Sequence, residues 1–153
     1  MDKVIVVIGA GSIGQAIARR VGAGRHVLLA DVRQANADAA AKVLAEAGFE
    51  TSTAAVDVSS RESVHALAEA AAGIGDVVGV VHAAGVSASQ ASIEQILRVD
   101  LYGTALVLEE FGRVIASDGE RNMKAGAKAE QLVAAFGEQG FDYVGDSRAD
   151  LSV

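Results

Sequence analysis

Short apolar runs alternate with stretches of helical periodicity along most of this chain, and that alternation restricts the possible folds more than any other feature. Val4–Ile8 is the first such run, and similar runs recur after each helical stretch. Because strand, helix and strand in succession build parallel sheets covered by helices, the sequence predicts an α/β protein, a three-layer α/β/α sandwich with a doubly wound parallel sheet. About six strands are predicted, at residues 4–8, 27–31, 51–58, 77–84, 113–117 and 141–145.

The stretches between these runs predict helices that each bury one apolar face. The second helix ends at Gly48, a residue suited to a left-handed cap, and the third is capped by Ser59 or Ser60. Further helices are predicted at residues 92–110 and 124–137. The predicted buried faces comprise Asn36, Ala40, Val43, Leu44 and Ala47 in the second helix, Val64, Leu67, Ala68 and Ala71 in the third, and Ile93, Ile96, Leu97, Leu101, Ala105 and Leu108 in the fourth.

Composition narrows the class of protein further. The 153 residues fit one domain, and their 51% hydrophobic content suffices for a core. A net charge of -7 without a basic cluster excludes nucleic acid as a partner, and no apolar stretch is long enough to predict a membrane segment. The absence of cysteine excludes a thiolate nucleophile and fits a cytoplasmic location or a recombinant product.

A glycine-rich turn directly follows the first strand. Gly9, Gly11 and Gly14 form a G-x-G-x-x-G pattern that also includes Ser12 and Ile13 and opens a helix. Such a turn lets backbone approach a pyrophosphate, and the helix N-terminus offers N–H groups to the phosphates. The sequence therefore predicts a dinucleotide site on a Rossmann-like sheet with strand order 3-2-1-4-5, the sixth strand lying beside strand five. The alternative is a turn that only joins strand to helix.

Asp31 ends the second strand, where a carboxylate can accept hydrogen bonds from the adenosine ribose. The same charge repels a 2′-phosphate, so NAD is predicted in preference to NADP. Arg33 would soften that preference, because a guanidinium attracts a 2′-phosphate. The alternative is that Asp31 is only a solvated strand end.

Three further motifs resemble those of the short-chain dehydrogenase/reductase family, in the same order along residues 3–110. They are Asp57-Val58, His82-Ala83-Ala84-Gly85 and Val99-Asp100-Leu101-Tyr102-Gly103-Thr104. The resemblance implies that Asp57 and Val58 contact the adenine, that Ala83, Ala84 and Gly85 line the cofactor site, and that the helix at 92–110 forms a homodimer contact. Two asparagines of the family pattern are replaced here, by His82 and Asp100.

The catalytic residues of that family are not found in this chain. Its chemistry needs a Ser, a Tyr and a Lys four residues after the Tyr, which lowers the pKa of the phenol. The chain has two tyrosines, Tyr102 and Tyr143, and the positions four residues later hold Leu106 and Ser147. Ser117 lies near the position of the family's serine but is interpreted as a turn residue. No catalytic residue is therefore predicted.

Residues 111–153 resemble a different family, the C-terminal part of a haloacid-dehalogenase-type phosphatase. Lys128 matches its phosphate-binding lysine, and Gly145–Asp150 matches its terminal Gly-Asp-x-x-x-Asp, whose carboxylates hold Mg²⁺. Its nucleophilic Asp-x-Asp is missing after the first strand, so Asp146 and Asp150 lack the carboxylates that would complete a metal site. No metal site is predicted.

Two resemblances in one chain predict a chimera. Proline is also absent, although average usage would give about seven or eight in this length, which favours an engineered or recombined sequence over a natural truncated gene product. The leading hypothesis is a chimeric Rossmann-like scaffold of residues 1–153, without a complete catalytic site and with NAD binding at most. The alternatives are an NAD-dependent short-chain oxidoreductase and, less favoured, a Mg²⁺-dependent phosphatase remnant.

Overall fold

The structure, a computed structural model, describes residues 2–115. Strands and helices alternate, as the hydrophobic pattern predicts, up to the end of β4. The elements are β1 (Lys3–Ile8), α1 (Ser12–Val21), β2 (His26–Asp31), α2 (Gln34–Glu46), β3 (Glu50–Ala55), α3 (Arg61–Ile74), β4 (Asp76–His82), α4 (Ile93–Ile96), a π-helical segment (Leu97–Tyr102) and α5 (Gly103–Ile115).

The described strands form one four-stranded parallel sheet in the order β3-β2-β1-β4. This confirms the Rossmann-like α/β class and the predicted order of the first four strands. The prediction of about six strands is wrong for the described residues, because residues 113–115 end helix α5 and do not begin a fifth strand. The strand predicted at 141–145 lies outside the described residues.

Strands β1 and β2 supply the centre of the core. Residues 4–8 and 27–30 are all buried, because a parallel strand covered by helices on both faces needs apolar side chains at successive positions. Between β1 and β4 the register shifts at Val4 and Ile5, which pair with Val77 and Gly79, so β4 carries one extra residue as a β-bulge. The N-terminal part of the chain, up to residue 112, forms one compact unit. The single domain predicted for 1–153 stays a prediction.

Two of the three predicted helix faces agree with the structure, one of them only in part. In α3, all four predicted residues are buried, and the Ser60 side chain accepts a hydrogen bond from the backbone N–H of Ser63 at the helix start. In α2, the buried residues are Ala37, Ala40 and Leu44, whereas the predicted Val43 and Ala47 are exposed. Gly48 follows α2 with φ +88°, the left-handed conformation that the sequence predicts.

The buried face that the sequence predicts for the helix at 92–110 is wrong. It is built of α4, the π-helical segment and α5, and its buried residues are Gly103, Leu106, Val107, Glu110 and Phe111. Four of the residues predicted as buried are 52–78% exposed, namely Ile93, Leu97, Leu101 and Leu108. A π-helical turn contains more residues than an α-helical turn, so it rotates the α-helical face that follows away from the face that a uniform period predicts.

A buried carboxylate joins α5 to α3. Glu110 is 3% exposed and accepts hydrogen bonds from the Arg61 guanidinium at 3.1 Å and from the His65 ring at 2.9 Å. Arg61 also pairs with Glu109 at 2.9 Å. A charge buried this deeply is tolerated because it is paired and hydrogen-bonded.

Candidate functional site

The glycine turn after β1 contains three glycines with different roles. Gly9 has φ +96°, and a Cβ built there would lie 2.5 Å from the backbone N of Ala84. A Cβ on Gly14 would lie 2.0 Å from the carbonyl oxygen of Gly9. A Cβ on Gly11 would meet no atom within 4 Å. Gly9 and Gly14 are therefore required for close packing of the turn, whereas the space beside Gly11 is open to a ligand.

Helix α1 begins at the end of this turn, with Gly11 as its N-cap and no side-chain cap bond. The backbone N–H of Gln15 donates to the carbonyl of Gly11 at 3.0 Å. The N–H groups of Ser12, Ile13 and Gly14 lie in the first turn of the helix, where backbone donors have no acceptor within the helix. Together with the positive end of the helix dipole, they make a site suited to an anion such as a pyrophosphate.

Asp31 connects the end of β2 to the glycine turn. Its Oδ2 accepts a hydrogen bond from the backbone N–H of Ala10 at 3.1 Å. Its Oδ1 accepts from the backbone N–H of Arg33 and from the Asn36 amide, both at 3.0 Å. A carboxylate has about four lone-pair positions, so these three donors leave one position, on Oδ2. Three hydrogen bonds therefore fix the Asp31 side chain, and its role in cofactor binding stays a prediction.

The loop after β4 lies directly against the glycine turn. The backbone N–H of Ala83 donates to the carbonyl of Ile8 at 2.7 Å, and Ala84 is the residue that a Cβ on Gly9 would strike. Gly85 lies beside Asp100, whose Oδ1 accepts a hydrogen bond from the backbone N–H of Val86 at 2.9 Å. The structure therefore brings this loop, the turn and Asp31 together at the carboxyl edge of the sheet.

Asp57 and Val58 follow β3 at the same edge, two strands away from β1. Oδ1 of Asp57 accepts from the backbone N–H and the hydroxyl of Ser59 at 2.9 and 2.7 Å, which shapes the turn before α3. Val58 is buried, and a Cβ on Gly103 would lie 3.0 Å from its Cγ2. The ends of parallel strands are where open α/β sheets bind ligands.

Two residues of this edge have roles that the sequence does not indicate. Asn36 holds Asp31 by its amide, and Asp100 holds the loop after β4 by its carboxylate. The replaced asparagine of the family motif marks Asp100 as unusual but does not reveal its partner. At the end of β4, burial lowers the pKa of His82, and the opposing effect of the Asp100 charge is smaller.

The described residues hold neither a metal cluster nor a membrane helix. Between residues 2 and 115, no group of three or more His, Asp or Glu side chains could hold a metal ion. No helix in the same range is long and apolar enough to cross a membrane. The expectation that the protein needs no metal stays a prediction.

Comparison with known proteins decides the family. The sequence profile of the short chain dehydrogenase family matches residues 3–121. The chain belongs to this family. A short-chain dehydrogenase/reductase of Alternaria brassicicola, bsc3, is 44% identical over 118 residues, which are 77% of this chain and 43% of that protein.

Solved structures of short-chain dehydrogenases are similar to it as well. One from Burkholderia phymatum, in complex with NAD, has a TM-score of 0.66 at 29% identity and aligns with 74% of this chain and 44% of its own. A metagenomic short-chain oxidoreductase in complex with NADP has a TM-score of 0.65 at 28% identity, covering 74% of this chain and 56% of its own. The chain thus spans about half the length of these relatives.

The family match overturns the leading hypothesis from the sequence. A chimeric scaffold is the wrong interpretation, because the match points to an oxidoreductase family and runs to residue 121, into the segment 111–153 that resembles a phosphatase. An engineered origin and a phosphatase segment have no support in these comparisons. The phosphatase-like residues Lys128, Asp146 and Asp150, like Ser117, lie outside the described residues.

Proposed function

We propose that this chain is the nucleotide-binding part of an NAD-dependent short-chain oxidoreductase. The observation that carries the proposal is the open space beside Gly11, at the N-terminus of α1 and against the loop after β4. The first-turn N–H groups would bind the pyrophosphate, and the remaining lone pair of Asp31 would accept a hydrogen bond from a ribose hydroxyl. When bound, the nicotinamide would supply or accept a hydride.

The preference for NAD over NADP rests on Asp31. A 2′-phosphate on the ribose would face the Asp31 carboxylate, which is held in place by hydrogen bonds from Ala10, Arg33 and Asn36. The negative charges of the 2′-phosphate and of the Asp31 carboxylate would repel each other, even at a solvated surface. The exposed Arg33 side chain would weaken the preference, because a guanidinium attracts a 2′-phosphate. Family membership leaves the choice open, since the similar structures include complexes with NAD and with NADP.

Asp57, Val58, Ala83, Ala84 and Gly85 would surround the adenosine half of the cofactor. Their positions at the carboxyl edge of β3 and β4 support this assignment. No catalytic residue is assigned within the chain, because no Tyr-x-x-x-Lys occurs among its 153 residues. What this chain contributes to the reaction is cofactor binding and orientation.

Calorimetric titration with NAD⁺, NADP⁺ and ADP-ribose tests this proposal. We expect saturable binding of NAD⁺ and of ADP-ribose, because the described contacts face the pyrophosphate and the adenosine ribose. NADP⁺ should bind about tenfold more weakly, a difference of about 1.4 kcal/mol, because its 2′-phosphate meets Asp31. Failure of both NAD⁺ and ADP-ribose to bind at millimolar concentration would contradict the proposal.

We propose that the homodimer expected from the family resemblance forms through exposed aliphatic side chains, namely those of Ile93, Leu97, Leu101 and Leu108. Large contiguous apolar patches mark protein–protein interfaces, so the proposal requires these side chains to share one surface. Light scattering at increasing concentration should give twice the mass of one chain, and Leu101→Lys should shift the mass toward one chain. A cytoplasmic location remains a proposal on the composition alone.

A further inference from the structure

A chain of hydrogen bonds links the end of β4 to the π-helical segment. The Nε2 atom of His82 lies 3.1 Å from the hydroxyl of Thr104, and that hydroxyl is also bonded to the carbonyl oxygen of Asp100. A carbonyl only accepts, so the hydroxyl donates its single proton to Asp100. The Nε2 atom must then donate to Thr104, because the hydroxyl has no second proton to give. The neutral His82 ring therefore carries its proton on Nε2.

The other ring nitrogen of His82 has no partner of this kind. Nδ1 is buried and has no hydrogen-bond partner among residues 2–115. Burial lowers the pKa of His82, which favours the neutral ring in which Nδ1 is a bare acceptor. A buried acceptor without a partner is unfavourable, because it has given up its hydrogen bond to water. A buried polar atom without a partner is rare. The hydrogen bond from Nε2 to Thr104 explains this one, because it places the ring's proton on Nε2 and leaves Nδ1 as the acceptor.

The segment that Thr104 contacts carries the carboxylate that holds the loop after β4. Asp100 lies in the π-helical segment. Such segments are rare in proteins, and those that occur are often found at functional sites. Its Oδ1 accepts from the backbone N–H of Val86 at 2.9 Å. The residues just before Val86 lie against Gly9 of the glycine turn. A continuous path therefore runs from His82 through Thr104 and Asp100 to the edge of the nucleotide site.

We propose that His82 is a positioning residue for the nucleotide site. As an Nε2–H donor to Thr104, it anchors the π-helical segment and keeps the Asp100 carboxylate on the loop after β4. Its effect on cofactor affinity rests on the proposed function, whereas its effect on the loop does not. A side chain of similar size without a donor would leave the Thr104 hydroxyl free to turn away from the Asp100 carbonyl and would loosen the loop.

Four variants test the proposal. His82→Leu and Thr104→Val remove the bond with little change of volume, His82→Gln keeps an amide donor at similar reach, and the fourth variant combines His82→Leu with Thr104→Val. The first two should bind NAD⁺ about tenfold more weakly, the loss expected for one buried hydrogen bond. His82→Gln should stay within about threefold of the unmodified protein. The double variant should be no weaker than either single one, because both break the same path.

Two readouts do not depend on nucleotide binding. Nitrogen-15 NMR of the unmodified protein should show Nε2 protonated and Nδ1 unprotonated in His82. Amide hydrogen exchange at Val86 should be faster in His82→Leu and unchanged in His82→Gln, whereas a purely global destabilisation would speed exchange at the amides of β1 as well.

The outcomes separate the two proposals. An Nδ1-protonated ring, or a Val86 amide that exchanges equally in the unmodified protein and His82→Leu, would overturn the role of His82. Unchanged NAD⁺ affinity in His82→Leu would overturn its effect on the site. An unmodified protein that binds no nucleotide, but shows the expected tautomer and exchange, would contradict the proposed function alone.

Discussion

Replacement of Gly11 by Asp should abolish most nucleotide binding without harming the fold. Gly11 has φ -74° and ψ -172°, an extended conformation open to any residue, and its Cβ position has no neighbour within 4 Å. It is also the N-cap of α1, a position where Asp is among the favoured residues. A carboxylate there also interacts favourably with the helix dipole. The free energy of unfolding should stay unchanged or rise by about 0.5–1 kcal/mol.

The expected loss of affinity follows from the position of the new charge. The carboxylate introduced by Gly11→Asp would lie where the pyrophosphate is proposed to bind, at about 4 Å from two negative charges. Each such pair repels by about 1 kcal/mol in water and by about 4 kcal/mol at the effective dielectric constant of a protein surface. The lower figure, about 2 kcal/mol for the two charges, already corresponds to a loss of about thirtyfold.

Calorimetry with NAD⁺ and thermal denaturation would measure the two effects on the same preparations. Gly11→Ser is the matched control, since it adds an N-cap side chain of similar reach without charge. The difference between the Asp and Ser variants should shrink as salt is added, because exposed charges are screened. A folded Gly11→Asp protein with the affinity of the unmodified chain would refute a pyrophosphate site at this helix N-terminus.

Three further predictions address the turn, the cofactor preference and the core. Gly14→Ala should lower the free energy of unfolding by about 2 kcal/mol or more, measured in urea, because its Cβ would lie 2.0 Å from the Gly9 carbonyl oxygen. Asp31→Ala should raise the affinity for NADP⁺ relative to NAD⁺ by about tenfold, and an unchanged ratio in calorimetry would remove Asp31 from cofactor selection. Glu110→Ala should cost about 1.5–3 kcal/mol, the range for a hydrogen bond to a charged group, because the buried acceptor is lost while Arg61 and His65 stay partly exposed, and a two-state urea titration with no shift of midpoint would disprove it.

The first half of the fold could be predicted because its signals are local. Residues 4–8 and 27–30 are apolar at every position, which suits only a strand covered on both faces. The face of α3 follows one uniform helical period from its Ser60 cap. In the same way, Gly9 and Gly14 leave backbone space for close packing of the turn, which their spacing in the sequence indicates.

The helical region after β4 could not be predicted in the same way. A uniform α-helical period assigns Leu97, Leu101 and Leu108 to one buried face, yet all three are exposed. Neither proline nor a break in the apolar pattern marks the π-helical segment at 97–102. The bonds of Asp31 to Ala10 and of Asp100 to Val86 could not be predicted either, because each joins segments that are distant in sequence and approach only when the sheet forms.

Asp31 accepts a hydrogen bond from the glycine turn, and Asp100 accepts one from the loop after β4. An amide at each position would distinguish the roles of the two carboxylates. Both oxygens of Asp31 accept hydrogen bonds. The side-chain nitrogen of an Asn at this position would replace one oxygen and could not accept, so at least one of the three bonds would be lost. Asp100 is bonded to Val86 through one oxygen, so an Asn there, the residue of the family pattern, would keep that bond. The same isosteric change should therefore weaken NAD⁺ binding at Asp31 and spare it at Asp100. We therefore expect the carboxylate at the end of β2 to be needed for its charge and for both acceptor oxygens, and the one in the π-helical segment only for the one oxygen that accepts from Val86.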